Sequence, residues 1–415
     1  MNTPVPHRQP SALGRCVAVG RAEFAERHWD RAPVLSRAAD LPRDYLDLLS
    51  PDAIDELIAE RGVRTPFLRM ARDGTVLDRG CFTRSGGFGA EMPDQIDSAG
   101  VFTEFSAGAT IVLQGLHRLW PPIIDFVRAL VDDIGHPVQA NAYVTPPSSR
   151  GFDPHYDTHD VFVLQVAGTK EWVVHPPVQE LPLPGQPWTA HRSGVAAAAR
   201  VEPFLSATLE PGDALYLPRG WIHSARARGE TSVHLTIGVA PTTRHDVVRI
   251  LADALGEDVE LRRALPLGTD HTDATAVAGE IARTIELVGR RLGHPPEEPS
   301  LVESVAAAVG DRFVALTRPA PVRPLATLEA IAAFDAGTTV RWRSALHGTV
   351  TTSSDAVSLA LPDRTITLPP ECASAVETIA GGGRVCARDL PGLSVEDGVV
   401  VLRRLLREGV VVPTG

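Results

Sequence analysis

Lysine is almost absent from this chain of 415 residues: Lys170 stands alone, and the other 39 of the 40 basic residues are arginines. Phosphate-backbone binding needs clustered basic residues, and a formal net charge of −11 supplies no such excess. That balance argues against a general nucleic-acid binder and suits a basic protein partner. Cysteine is scarce too. Cys16, Cys81, Cys372 and Cys386 are scattered without a CxxC pair, which excludes a disulfide framework and a cysteine zinc cluster and fits a reducing compartment. No stretch reaches the roughly eighteen uninterrupted apolar residues that a membrane span requires. The opening MNTPVPHRQPSALGR has neither an apolar signal core nor an acid-free amphipathic pattern, so a cytoplasmic protein is expected.

What is present is ordinary globular composition, with 44% hydrophobic and 22% charged residues. The length exceeds what one core of roughly 250–300 residues accommodates. Residues 1–99 read as a mixed α/β lead-in, with a helical patch PDAIDELIAERG over 51–62. PPIIDFVRALVDDIG predicts a helix: Ile123, Ile124, Val127, Leu130, Val131 and Ile134 share a stripe and Gly135 ends it. Short runs rich in Val, Tyr, Trp and Thr follow, namely VQANAYVTPP, HYDTHDVFVLQV, KEWVVHPP, ATLEPGDALYLP and TSVHLTIGVA. Glycine and proline turns separate them, as in a β sandwich or barrel, and the β core is set at 100–241. Helical periodicity takes over in 242–317. A stiff proline-rich linker, RPAPVRPLA, opens the last segment, 318–415. There Ser394 and Asp397 start a helix, Leu402, Leu405 and Leu406 form its apolar stripe, and Gly409 stops it before a valine run. Helix, glycine and valine run predict a winged-helix-like step.

The chemistry gathers around HYDTHD. Read as a strand, it points His155, Asp157 and His159 to one face. A further histidine, His223, arrives 66 residues after Asp157 in LEPGDALYLPRGWIH, where two turns bring it back toward that strand. Two imidazoles and one carboxylate on one side of an ion leave three positions open, the facial arrangement that suits non-haem iron(II), although the same ligand types also take zinc or manganese. Lys170 follows Asp157 by thirteen residues, and a hairpin at Ala167-Gly168-Thr169 is expected to return it beside the ligand strand. A dicarboxylate chelating the metal at one end needs a cation for its far carboxylate, and Lys170 is the candidate. Asn141 with Tyr143, and His234 with Thr236, alternate onto shared faces and are candidate pocket groups; His159 is a candidate outer support for the metal. Asp153 and Asp160 are expected near the mouth, where they would favour a cationic peptide.

PHYDTHDVFVLQVAGTKEW, LEPGDALYLPRGWIH and SVHLTIGV together resemble the JmjC-type ribosomal oxygenases of the cupin superfamily. FAERHWDRAPVL resembles the family's opening segment and NAYVTPP its strand before the ligands. The resemblance implies an α+β multidomain chain with a double-stranded β-helix (cupin, jelly-roll) JmjC core, a helical dimerisation domain at 242–317 that would make a homodimer, and a winged-helix-like domain at 318–415. It implies Fe(2+) held by His155, Asp157 and His223, 2-oxoglutarate as co-substrate on Lys170, O2 as oxidant, and Asn141 and Tyr143 at cofactor-binding positions, to which the shared face of His234 and Thr236 adds Thr236. The implied substrate is a protein side chain, a ribosomal arginine or histidine. Where family members often read Leu-Ser-Thr, Ile237-Gly238-Val239 stands here, without a hydroxyl at the pocket edge. The acidic tail fits packing or interaction better than DNA reading. The rival readings are a tailoring hydroxylase of a small peptide or metabolite, a demethylase, and a metal-binding cupin scaffold without turnover.

Overall fold

The computed structural model describes residues 11–72, 74–89, 91–147, 153–293 and 301–414. The chain divides into two compact units, 1–241 and 242–415.

In the first unit, helix α1 (Arg21–Arg27) leads into strand β1 (Val34–Ser36), and α2 (Pro51–Ala59) precedes β2 (Leu68–Arg72) and β3 (Thr75–Val76). The start of α2 follows its sequence: Ser50 Oγ accepts the Ala53 N–H and Pro51 sits where no N–H is needed. A small ladder joins β4 (Thr83–Arg84) to β5 (Gln95–Ile96). After α3 (Ser98–Ser106), β6 (Thr110–Leu113) and α4 (Leu116–Leu119) comes α5 (Pro121–Ile134). Helix α5 buries Ile123, Phe126, Val127, Leu130 and Val131, and Gly135 ends it at φ 71° with its N–H on the Val131 carbonyl. Then come β7 (Val138–Thr145), β8 (Asp160–Ala167), β9 (Lys170–His175), α6 (Arg192–Ala198), β10 (Leu205–Leu209), β11 (Ala214–Leu217), β12 (Ile222–Ala227) and β13 (Ser232–Val239).

Two antiparallel sheets result, one of eight strands in the order β1-β11-β8-β13-β7-β6-β2-β3 and one of three in the order β10-β9-β12. The boundary expected at 99/100 does not divide this unit, because β1, β2 and β3 are strands of the same large sheet as the core. Strand β8 is buried along nearly its whole length. Its outer Phe162 packs on Phe24 and Tyr216 with ring centroids 6.0 and 5.0 Å away, while Val161 and Val163 face inward onto the cavity described below.

Two expectations are corrected here. HYDTHD is not a strand: β8 begins only at Asp160, and the ligand segment before it makes a single isolated bridge, His155 to His223. Nor is Ala167-Gly168-Thr169 a hairpin. The turn carries the chain from the large sheet to the small one, where β9 pairs with β10 and β12 rather than with β8. Gly168 is needed there, since its φ is 60° and a Cβ would fall 2.1 Å from the Thr231 carbonyl oxygen.

In the second unit α7 (Arg244–Leu255) starts from a capping box of Thr243 and Asp246. Two long helices follow, α8 (Ala274–Gly293) and α9 (Leu301–Leu316). Helix α8 has no buried residue among those described, and its Ile281 and Ile285 are 53% and 65% exposed. The proline-rich linker is shorter than expected, because Pro324 already opens α10 (Pro324–Ala332). The rest is β14 (Val340–Trp342), β15 (Thr349–Thr352), β16 (Val357–Ala360), β17 (Thr365–Leu368), α11 (Ala373–Ala380), β18 (Arg384–Val385), α12 (Val395–Arg407) and β19 (Val411–Pro413). They form sheets β18-β14-β19 and β15-β16-β17 around one core. Ser394 caps α12 by accepting the Asp397 N–H, and Leu402, Leu405 and Leu406 are fully buried. No described helix is long and apolar enough to cross a membrane.

Candidate functional site

The two sheets of the first unit face each other across a cavity of about 230 Å³. Its walls follow from strand alternation: on β9 Lys170 and Trp172, on β12 His223 and Ala225, on β7 Tyr143 and Thr145, and on β13 His234 and Thr236 turn inward.

At one end, His155, Asp157 and His223 bring one ligand atom each to within 4.8 Å of one another. His223 Nε2 lies 3.7 Å from Asp157 Oδ2, and the two imidazole centroids are 4.5 Å apart. Backbone bonds set this geometry. His155 N–H donates to the His223 carbonyl at 3.1 Å, His223 N–H donates back at 2.8 Å, and Gly220 N–H donates to the Asp157 carbonyl at 3.0 Å. Each imidazole is oriented in the same way, with Nδ1 bonded to the carbonyl two residues earlier: Asp153 O at 2.7 Å for His155 and Trp221 O at 3.0 Å for His223. Nδ1 therefore carries the proton and Nε2 keeps a free lone pair, the tautomer that a metal ligand requires. Burial and the neighbouring His155 push His223 below its ordinary range, against the pull of Asp157. Burial acts to raise Asp157, but His223, His159, His155 and Arg69 outweigh it and hold the carboxyl below the usual range. Neutral imidazoles and an ionised carboxylate are what a divalent cation binds.

At the other end Lys170 is 3% exposed. Its Nζ donates to Thr145 Oγ1 at 3.0 Å and lies 3.5 Å from His234 Nδ1. No carboxylate of the described residues pairs with it, and burial lowers its pKa from 10.5 to about 7. His234 is driven well down, first by burial and then by Lys170, so it stays neutral and can accept from the amine. Tyr143 stacks on His234 with centroids 5.1 Å apart and Trp172 meets it edge-on at 5.5 Å. Trp172 Nε1, buried in the cavity wall, has no hydrogen-bond partner among the described residues.

Of the residues singled out from the sequence, His155, Asp157, His223, Lys170, Tyr143, His234 and Thr236 line one cavity. Asn141 does not, because its Oδ1 accepts the Gly115 N–H at 3.0 Å and its carboxamide supports that turn. Asp160 is not at the mouth either: it is fully buried, with Oδ1 bonded to Arg219 N at 2.8 Å. His159 lies on Gly238, where a Cβ would come within 2.8 Å of its ring. The bare Ile-Gly-Val run thus makes room for an imidazole. Arg69, Trp172 and Trp188 also line the cavity and were not anticipated. Trp172 was findable, two residues from Lys170 and so on the same face of β9. Trp188 comes from the segment between β9 and β10, lies 6.2 Å from the His155 ring and carries Arg192 over its face at 4.8 Å. Arg69 hydrogen-bonds Tyr143, whose phenol is raised by burial.

Residues 120–247 match the family model described as JmjC domain. The chain is similar to ribosomal oxygenase 1 of Rattus norvegicus, 31% identical over 65% of this chain and 46% of that protein. It is also similar to the bifunctional lysine-specific demethylase and histidyl-hydroxylase NO66 of Drosophila persimilis, 28% identical over 59% of this chain and 35% of that one. The chain thus spans less than half the length of these curated relatives. Among solved structures, the Escherichia coli ribosomal oxygenase YcfD superposes with a TM-score of 0.54 at 19% identity, covering 95% of this chain and 98% of that chain. YcfD with cobalt and 2-oxoglutarate superposes with a TM-score of 0.52 at 18% identity, covering 96% and 99%. The chain thus carries a JmjC domain at residues 120–247 within a sheet-rich core, is similar over part of its length to ribosomal oxygenases, and shares the fold of YcfD.

Proposed function

We propose that the chain is an Fe(II)- and 2-oxoglutarate-dependent oxygenase that hydroxylates a side chain of a protein substrate, with His155, Asp157 and His223 as iron ligands. One observation carries this reading: a buried ammonium without a counter-ion, Lys170, closes a cavity whose other end holds three metal-ligand groups. Burying an unpaired charge is costly, and a dicarboxylate reaching from metal to lysine would relieve that cost. A cupin scaffold without turnover gives Lys170 no such purpose.

The bound iron would supply the activation of O2, with 2-oxoglutarate + O2 + R–H giving succinate + CO2 + R–OH. The chain's own residues hold the reactants. His155, Asp157 and His223 would hold the ion at one end of the cavity, which leaves the rest of the cavity for co-substrate and O2. Lys170 and Thr145 take the far carboxylate, Tyr143, Trp172 and Thr236 flank it, and Val161, Val163 and Leu217 keep the walls dry. No protein general base is needed.

The names of the relatives, ribosomal oxygenase and histidyl-hydroxylase, favour a ribosomal protein target with a histidine side chain, and the resemblance in sequence adds arginine as the other target. Its basic character rests on the net charge, since Asp160 is withdrawn from the mouth. The exposed apolar residues of α8 fit a homodimer through 242–317, α12 followed by β19 fits a winged-helix-like module at 318–415, and a cytoplasmic setting fits the free cysteines.

Anaerobic titration of the full chain with Fe(II) and 2-oxoglutarate tests the reading. The expected outcome is a visible metal-to-ligand charge-transfer band, lost in His223→Ala, and succinate on admission of air. No band and no succinate would refute it. Proteome mass spectrometry for peptides that gain one oxygen then identifies the target.

A further inference from the structure

His155 and Asp157 sit on residues 153–159, outside the strands, and meet residues 218–223, where a turn runs into β12 and its ligand His223. Cross-bonds join them at three levels: the double bridge of His155 with His223, the Gly220 N–H on the Asp157 carbonyl, and the Arg219 N–H on Asp160 Oδ1. Asp157, whose carboxylate must point at the metal, is held at the second of these by its own carbonyl and lies three residues before the third. The third is unlike the others because it depends on buried charge. Asp160 is 0% and Arg219 6% exposed, and Arg219 Nη1 lies 3.4 Å from Asp160 Oδ1 while also bonding Asp30 Oδ1. Asp30 is itself fixed: it adopts φ 60° in the loop after α1, and its N–H donates to the Tyr216 hydroxyl at 3.3 Å.

Asp160 and Arg219 are buried as a pair, and Asp30 reaches Arg219 from the edge with its side chain 35% exposed. Burial pushes Asp160 up to about 6 even with Arg219 beside it. A buried ion pair of this kind contributes little stability over apolar packing, so its value lies elsewhere. No polar group of the trio lines the cavity, so it does not touch substrate or co-substrate. What it does span is the gap between the two ligand-bearing stretches, and through Asp30 it ties both to the segment after α1.

We propose that Asp160, Arg219 and Asp30 form a clamp of positioning residues that holds Asp157 in register with His155 and His223. Arg219 suits this task because its planar fork can bond two carboxylates in a fixed geometry while its own backbone N–H holds one of them. The clamp rests on the metal-site reading above.

Cobalt(II) titration of the full chain tests both and keeps them apart. Binding by the wild type, lost in His223→Ala, supports the metal site, and no binding by the wild type overturns site and clamp together. Given binding, Arg219→Met is expected to weaken Co(II) affinity 10- to 100-fold, the range for losing an outer support of a metal ligand, and to alter the visible Co(II) absorption. Asp160→Asn, which keeps the volume and an oxygen for the Arg219 N–H, is expected to weaken binding about tenfold with little change in melting temperature, and it carries the test if Arg219→Met does not fold. Arg219→Lys, retaining charge without the fork, should recover part of the affinity. A folded Asp160→Asn that binds Co(II) within threefold of wild type, with an unchanged Co(II) spectrum, overturns the clamp, and so does a variant that loses only melting temperature.

Discussion

At the lysine end of the cavity every polar group is on a paired strand: Lys170 on β9, Thr145 on β7 and His234 on β13, all nearly inaccessible. At the metal end two of three groups, His155 and Asp157, are on a segment outside the strands and half-buried, and the third, His223, is the second residue of β12, just after a turn. The difference separates two ways of fixing a side chain. Strand pairing fixes Lys170, because β9 pairs with β10 over five residues and with β12 over six, and leaves it dry at the expense of an uncompensated ammonium. Loop placement keeps the metal face open to an incoming substrate, but its register must come from individual hydrogen bonds and the Asp160–Arg219 pair. A fault at the strand end should therefore show in co-substrate binding and pH response, and a fault at the loop end in metal affinity.

The largest effect expected within that contrast is at Lys170. Removing one partner of a buried charge pair costs roughly 3–5 kcal/mol, so Lys170→Met is expected to weaken 2-oxoglutarate binding by about 10²- to 10⁴-fold while Co(II) affinity stays near wild type. Calorimetry with each ligand separately reads the split, and equal losses of both would erase the distinction between the two ends. The empty site should respond in the opposite sense. Folding lowers the Lys170 pKa from 10.5 to about 7, so between those values the unfolded chain holds a proton that the folded one does not. The penalty is fully present below about pH 7 and is relieved as pH rises toward 10.5; its upper bound is on the order of 5 kcal/mol. Lys170→Met should thus be more stable than wild type near neutrality, with an advantage that shrinks at alkaline pH in urea titrations.

Next in size comes the turn that separates the two sheets. Gly168→Ala places a methyl group 2.1 Å from backbone that cannot swing aside and forces alanine to a φ of 60°. A loss of roughly 2–4 kcal/mol in unfolding free energy is expected, within the range for backbone strain and overpacking. Denaturant melts check it, and a loss under about 1 kcal/mol would mean that the sheet-to-sheet crossing tolerates rearrangement.

The legibility of the chain divides along the same line. His155, Asp157, His223 and Lys170 were readable because their residue types are rare enough in a β segment to announce chemistry. Helices α5 and α12 were readable because stripe, cap and stop agree along one short stretch. The switch at Gly168 was hidden, since a period of two tells which face a residue takes but not which sheet its strand joins. Asp160 was misplaced for a related reason. A charge in a sequence reads as surface unless its partners are known, and these lie 59 residues ahead in Arg219 and 130 behind in Asp30. Asn141 shares a strand face with Tyr143, yet a backbone N–H from Gly115, which no pattern on β7 reveals, claims its side chain.

The smallest effect tests the boundary between the metal end and whatever enters it. Gly238 lies on β13 two residues beyond Thr236, and its missing Cβ leaves space that the His159 ring fills. His159 is half-buried and two residues from Asp157, so its imidazole belongs to the rim and not to the floor. Gly238→Ser restores a hydroxyl at that edge and pushes His159 outward, and because the obstructing atoms belong to a ring that can rotate, the stability cost should stay within about 1 kcal/mol. Affinities for Co(II) and 2-oxoglutarate should remain within about twofold, since the three ligand groups and Lys170 keep their own hydrogen bonds. The change should appear in which proteome peptides gain an oxygen, read by mass spectrometry with wild type and Gly238→Ser side by side. If the set of oxidised peptides is the same while metal affinity falls, then His159 serves Asp157 as part of the metal end, and the rim extends less far than the strand pattern of β13 implies.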